Sequence, residues 1–222
     1  VQKFYSYLHQ HGYLNKTALS VQRVFQRAVQ EQMNAGELRG ESAWDMEDDQ
    51  MMTVLGESRV PLVRDLFGRL KNRCFHRTVL VIKPSGYSFV ERQCSKNIAV
   101  REWPRERMRR FTESYNDAAD LSVLEDELAS FLGLAPGEVL FAAMPYFEKL
   151  LPREVRVFSR GGDRQYRLFE NDRSHYRSLV ADYLRTFAIR LIAVPEKREL
   201  VHGSASRIAD YLKQRVQDLP ER

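Results

Sequence analysis

A mainly helical first part followed by a small α+β lobe is the architecture this 222-residue sequence predicts. Three observations predict it. Apolar residues recur at helical spacing through most of the first 70 positions. A β-branched run follows at residues 75–82. In the second half, short apolar runs alternate with turn signals and amphipathic stretches. The length suits one well-packed domain or two small ones.

The first helix is expected over residues 16–34. Val21, Val24, Phe25, Ala28 and Val29 follow the i, i+3, i+4, i+7, i+8 rule, with Gln22, Arg23, Gln26, Arg27 and Gln30 on the other face. Gly36 fits as its stop. Residues 45–55 read as a shorter helix, with Asp48 and Asp49 favourable near its N-terminal dipole. Pro61 suits the first turn of a third helix whose buried stripe is Leu62, Leu66, Phe67 and Leu70. Residues 75–82 then read as a strand.

Residues 83–103 carry turn signals at Pro84-Ser85-Gly86 and no clear period, with one short strand expected near residues 87–90. Residues 104–115 read as a highly basic helix. Residues 120–132 read as another, with Leu121, Leu124, Leu128, Phe131 and Leu132 facing inward and the acids Glu125, Asp126 and Glu127 outward. Residues 139–143 read as a strand, and residues 155–159 and 166–169 as a hairpin around Gly161-Gly162-Asp163. Ser174 caps a helix running to Phe187. A last strand at 189–194 and a closing helix at 204–219 complete a small α+β sandwich. The expected division is a helical region at 1–82, an irregular connection at 83–103 and the α+β lobe at 104–222.

No apolar run approaches the roughly 20 residues that span a bilayer, so no membrane partner is expected. Cys74 and Cys94 stand 20 apart without a CxxC, which argues against a zinc site and points to free thiols in a reducing cytoplasm. Net charge is +5, distributed unevenly: residues 1–114 hold 19 Lys/Arg against 13 Asp/Glu, and residues 115–222 hold 16 against 17. An anionic partner is therefore expected to meet the first half.

Chemistry concentrates in three places. The run Leu8-His9-Gln10-His11-Gly12-Tyr13-Leu14-Asn15-Lys16 places imidazole, phenol, amide and ammonium groups at a helix entrance. Lysine gives a phosphate chain a point charge, while imidazole and phenol give it directional donors. The plainer alternative is a solvated helix entrance. His9-x-His11 is a metal pair without a third ligand. Arg73, Phe75 and Arg77 would share one face of a strand and could clamp a triphosphate, or simply guard an exposed edge. Arg105, Arg109 and Arg110 lie in the densest basic run, beside Trp103. They are a candidate surface for single-stranded nucleic acid, or a solvated face paired with Glu102 and Glu106. Gly161-Gly162-Asp163-Arg164 lacks the phosphate-loop pattern and reads as a turn. No set of residues is assigned as catalytic.

The LHQHGYLNK block and the helix after it resemble the substrate helix of HD-domain deoxynucleoside triphosphate triphosphohydrolases of the sterile-alpha-motif/HD-domain type. There the run is leucine, histidine, three residues, tyrosine, one residue, histidine, lysine. His9, Tyr13 and Lys16 match; His11 stands where the family usually has arginine and Asn15 where it usually has histidine. MEDDQMMTVL and LKNRCFHR are similar to later family segments, and EDELASFLGLAPGEVLFAAMPYFEKLLP to the family's C-terminal lobe. The resemblance runs from about residue 4 to about residue 200.

That resemblance implies the C-terminal part of a metal-dependent phosphohydrolase acting on nucleotides. Substrate contacts would come from His9, His11, Tyr13, Asn15 and Lys16, and a regulatory nucleotide or subunit contact from Arg73, Phe75 and Arg77. The family's His, His-Asp and Asp ligands precede the LHxxxY run, so the divalent metal (Mn, Mg, Fe or Zn) is expected upstream and no metal ligand here. A homo-oligomer of two or more subunits is implied. The alternative is a non-catalytic module of the same fold that binds nucleic acid or another partner.

Overall fold

The computed structural model describes residues 15–89, 97–142, 156–158, 165–167 and 173–218. Helix α1 (Lys16–Asn34) opens on Asn15, whose side chain accepts from Thr17 N–H, and closes with Gly36 at φ +73°. Gly36 N–H donates to Met33 O and Glu37 N–H to Gln32 O, a left-handed cap that glycine adopts without steric cost. Helix α2 (Gly40–Trp44) buries no residue. Helix α3 (Asp48–Gly56) starts with a reciprocal Glu47/Gln50 capping box. Helix α4 (Pro61–Lys71) has proline in its first turn and buries Val63, Leu66 and Phe67.

Strand β1 (Arg77–Pro84) and strand β2 (Ala99–Trp103) pair in parallel. Helix α5 (Arg105–Ser114) and helix α6 (Ala118–Leu132) follow, the second between an Asp117 N-cap and a left-handed Gly133. Strand β3 (Val139–Phe141) leads to a separate two-stranded sheet, β4 (Arg156–Phe158) and β5 (Gln165–Arg167). Helix α7 (Arg173–Thr186), strand β6 (Ile189–Ala193), a 3-10 turn at Pro195–Lys197, helix α8 (Arg198–Gly203) and helix α9 (Ala205–Gln217) complete the order.

The main sheet runs β2-β1-β6-β3. β6 lies antiparallel to both of its neighbours, β1 and β3. Alternation along β6 and β3 sends successive side chains to opposite layers. Ile189, Leu191, Ala193, Val139 and Phe141 meet Met108, Phe111, Leu124, Leu128, Ile208 and Leu212 of α5, α6 and α9. Ile192, Leu140 and Ala142 meet Val24 and Ala28 of α1, Leu55 of α3 and Leu66 and Phe67 of α4. The protein is thus a helical first part joined to a small α+β lobe through a sheet packed on both faces. β1 straddles the expected boundary at residue 82 and pairs with β6, near the end of the chain.

Two sequence expectations are corrected. The strand at 75–82 begins only at Arg77, because residues 72–74 form the C-terminal cap of α4. No strand occupies residues 87–89; the parallel partner of β1 is Ala99–Trp103, where Val100 lies opposite Val81. The expected loop at 161–163 lies outside the described residues, as does Cys94, while Cys74 is an exposed free thiol.

Candidate functional site

Of the five residues assigned to substrate, His9, His11 and Tyr13 lie outside the described residues. Asn15 sits at the entrance of α1 with extended backbone (φ −60°, ψ 133°), and its Oδ1 accepts from Thr17 N–H at 2.9 Å. It therefore caps the helix, a role that Asn immediately before an amphipathic run signals in sequence. Lys16 follows as the first helical residue, half-buried.

What holds this helix in place was not legible. Arg23 and Arg27, on the face read as solvated, are buried between α1 and α6. Arg23 Nε donates to Glu125 Oε1 at 2.9 Å, and its Nη2 donates to Glu125 Oε2 at 2.6 Å and to Ser122 Oγ at 3.0 Å. Arg27 Nη1 donates to Ser122 O at 3.0 Å and Nη2 to Asp126 Oδ2 at 2.6 Å. Its Nε lies 2.9 Å from Glu31 Oε1, one turn on, at an angle that gives an ion pair without a hydrogen bond. Glu125 also accepts from Phe141 N–H of β3 at 2.9 Å.

Glu125, expected on an outward face, is consequently the most enclosed acid of α6. Burial pushes its carboxyl up; Arg23, the Phe141 N–H and Arg27 pull it down. The buried Arg23 guanidinium in two-point contact with this fully buried carboxylate needs it ionised, since a neutral acid would leave that cation without an anionic partner. Desolvation also opposes the charge on Arg27, but Asp126, Glu125 and Glu31 outweigh it and hold the guanidinium above its ordinary range.

Arg73, Phe75 and Arg77 are not neighbours on one strand face. Arg73 occupies the left-handed region at φ +56°, just past the C-cap Asn72 of α4. Its N–H donates to Leu70 O and Cys74 N–H donates to Arg69 O, the bond pattern that closes a helix on glycine. Phe75 is half-buried in extended chain; Arg77 is exposed and opens β1 opposite Ala193. Spacing could not reveal this, because Arg is not a left-handed signal.

Between Phe75 and Arg77 lies a residue the sequence reading passed over. His76 is buried, and its Nε2 lies 2.8 Å from Gly137 O. A carbonyl only accepts, so Nε2 carries the proton and Nδ1 is left as a buried acceptor without a partner. Burial holds the imidazole below its ordinary pKa; Arg69 adds to this, while the Gly137 bond, Asp65 and Glu196 oppose it. The neighbouring ion pairs are Arg69 with Asp65 (2.9 Å) and Arg69 with Glu196 (3.1 Å), the second joining α4 to the 3-10 turn.

That turn borders an open depression of about 440 Å³ lined by Asn97, Pro195, Glu196, Arg198, Glu199 and His202. Arg77 pairs with Ala193, two residues before Pro195, so the backbone places it at the same end of the sheet. The Arg198 Nε is buried there without a partner. With Glu196 held by Arg69, the depression is lined by guanidinium, amide, carboxylate and imidazole groups.

The basic run at α5 is dispersed. Arg109 pairs with Glu106 at 2.6 Å, Arg105 is exposed, and Arg110 is half-buried on the same helix. Arg101 donates to Ser206 Oγ at 2.8 Å and to Val100 O at 3.0 Å. Trp103 is 4% exposed and packs edge-on against Phe111, with Arg107 over its ring, so it presents no face to a base.

Among the described residues, no three His, Cys, Asp or Glu side chains converge on a metal-sized point, and no helix is long and apolar enough to cross a membrane. No family model, curated protein or solved structure matches the chain.

Proposed function

We propose that this chain is the C-terminal part of a metal-dependent HD-type phosphohydrolase that acts on nucleotides, with release of triphosphate from dNTPs as its reaction. The observation that carries the reading is the clamp of Arg23 and Arg27 on Glu125. It fixes the one helix entered by the LHxxxYxxK run, and a substrate contact is useful only when its own helix is held. In this reading the share of this chain is to bind and orient the substrate. Lys16 gives the phosphates a point charge, His9 and His11 give them donors, and Tyr13 lays its ring against the sugar. Asn15 contributes by capping the helix that begins at Lys16.

The end of the sheet near Arg77, with the depression beside it, is the second ligand surface in this reading, taking a regulatory nucleotide or a neighbouring subunit. A homo-oligomer and a cytoplasmic location belong to the same proposal, the latter from the scarcity of cysteine and the exposed Cys74 thiol.

The test is triphosphate release from a panel of dNTPs with Mn²⁺ or Mg²⁺, using the longest natural polypeptide that contains this chain. Tyr13→Ala and Lys16→Ala are expected to lower kcat/KM at least tenfold. Equal rates in the parent and both variants would remove the assignment.

A further inference from the structure

One aromatic side chain stands outside every assignment above. Trp44 ends α2, a five-residue helix that buries none of its residues, and 90% of its surface lies in solvent. A large apolar ring left in water gains nothing from folding. The charge that follows is segregated along the chain. Residues 40–57 hold six acids and no Lys or Arg, whereas residues 59–77 hold six Lys or Arg and one acid, Asp65. Among the described residues no ion pair joins the two blocks, and Asp65 is taken by Arg69.

The basic block carries a seat for such a ring. On α4, Arg64, Gly68 and Lys71 stand at i, i+4 and i+7, which share one face of a helix. Arg64 and Lys71 are exposed, and the space over Gly68 is open: a Cβ added there would meet no atom within 4 Å. At 1.5 Å of rise per residue the two cations are about 10.5 Å apart along the axis, with the glycine between them. A flat ring laid on Gly68 therefore has a cation within about 6 Å on either side, the range of a cation–π contact, for which indole is the best partner.

We propose that Trp44 of a second copy of this chain takes that seat. Its indole lies on Gly68 between Arg64 and Lys71, and Glu41 and Asp45 beside the ring face the two cations. Charge complementarity selects this occupant. The chain as a whole is +5, so its copies repel on average and attract only where opposite blocks meet. A nucleic-acid strand would satisfy Arg64 and Lys71 but is repelled by the acids around Trp44. The contact gives the homo-oligomer proposed above a surface without resting on the nucleotide reading, since it uses no substrate residue.

Sedimentation velocity of the whole chain across concentration and salt tests it. The parent is expected to self-associate at low salt and to do so less as salt rises. Trp44→Ala removes almost no packing from the fold and should weaken association about thirtyfold, the scale of a tryptophan at the centre of an interface. Gly68→Gln fills the seat and should weaken association roughly tenfold, while Tm holds or rises because glycine is a poor helix former. A merely damaged fold cannot give that pair of results. Glu41→Lys/Asp45→Lys and Arg64→Glu/Lys71→Glu should each fail to self-associate, and an equimolar mixture of the two should associate again. Val123→Ala, at an exposed apolar residue of α6, should change nothing. Circular dichroism checks that each variant is folded; if a charge-reversed one is not, Gly68→Gln decides. The proposal is overturned if the parent stays monomeric throughout, if Trp44→Ala and Gly68→Gln associate as the parent does, or if the two folded charge-reversed variants stay apart on mixing. A monomer that still releases triphosphate from dNTPs removes this contact and leaves the nucleotide reading standing; an oligomer held by Trp44 but without that activity does the reverse.

Discussion

Arg23 and Glu125, 102 residues apart in sequence, meet as a two-point pair, Nε to Oε1 and Nη2 to Oε2, with both side chains wholly withdrawn from solvent. The pair joins the first described helix to α6, and through the Phe141 N–H it reaches the edge of the main sheet.

Breaking that pair from one side should be costly. Glu125→Gln leaves the buried Arg23 guanidinium without its carboxylate, and a loss of about 3–5 kcal/mol in unfolding free energy is expected by urea titration. Replacing both members, as Arg23→Met/Glu125→Leu, should cost less than the sum of the two single changes, because no charge is then stranded against a missing partner. Additive losses would show that the two groups do not interact.

Arg73→Gly should stabilise the protein. A left-handed conformation costs a non-glycine residue about 1–2 kcal/mol, and the greater freedom of glycine in the unfolded chain returns part of that. A net gain of about 0.5–1 kcal/mol is expected, or a rise in Tm of roughly 1–4 °C by calorimetry. If Arg73 also contacts a nucleotide, the same variant should lose any thermal shift that a dNTP produces in the parent.

His76 makes stability fall on the acid side. Its folded pKa is lowered from the ordinary value of 6.5, so the unfolded chain takes up the proton first. Its contribution is complete above 6.5 and is lost as pH falls from there through the lower folded value. His76→Gln should flatten that part of the profile in urea titrations at stepped pH, while lowering stability at pH 8 through a poorer bond to Gly137. An unchanged acid slope would assign it to other groups.

Lys83 is buried in β1 and donates to Arg185 O at 2.5 Å and Phe187 O at 2.7 Å, at the end of α7. Lys83→Met keeps the stem and removes the donors, leaving two carbonyls at a helix terminus unsatisfied. A loss of about 2–4 kcal/mol is expected. Amide exchange should quicken at residues 183–187 before it does elsewhere in α7.

Much of the architecture was open to reading. The α1 stop at Gly36, the proline start of α4, the span of α6 and the strand at 189–193 follow from periodicity and turn chemistry, which act within a few residues. The misreadings share one cause. Arg23, Arg27 and Glu125 count as surface residues by composition, and only a partner about 100 positions away makes their burial tolerable. Periodicity had placed Val21 and Phe25 at the centre of the buried stripe of α1, yet both are only half-buried, because the burial centre is rotated toward Arg23 and Val24. Among the site residues, Asn15 carried a cap signal that lay open in the sequence. Arg73 carried none for its backbone.

The place of β6 bears on how the polypeptide matures. Because it lies between β1 and β3, those two strands cannot complete their ladders until residues 189–193 have been synthesised. During translation each would present a bare hydrogen-bonding rim to other chains for as long as the ribosome is reading α7. Chains released early, before Ile189, would be left with both rims open and should be recovered as aggregates or chaperone-held species, whereas losing only the last helix would spare the ladder itself.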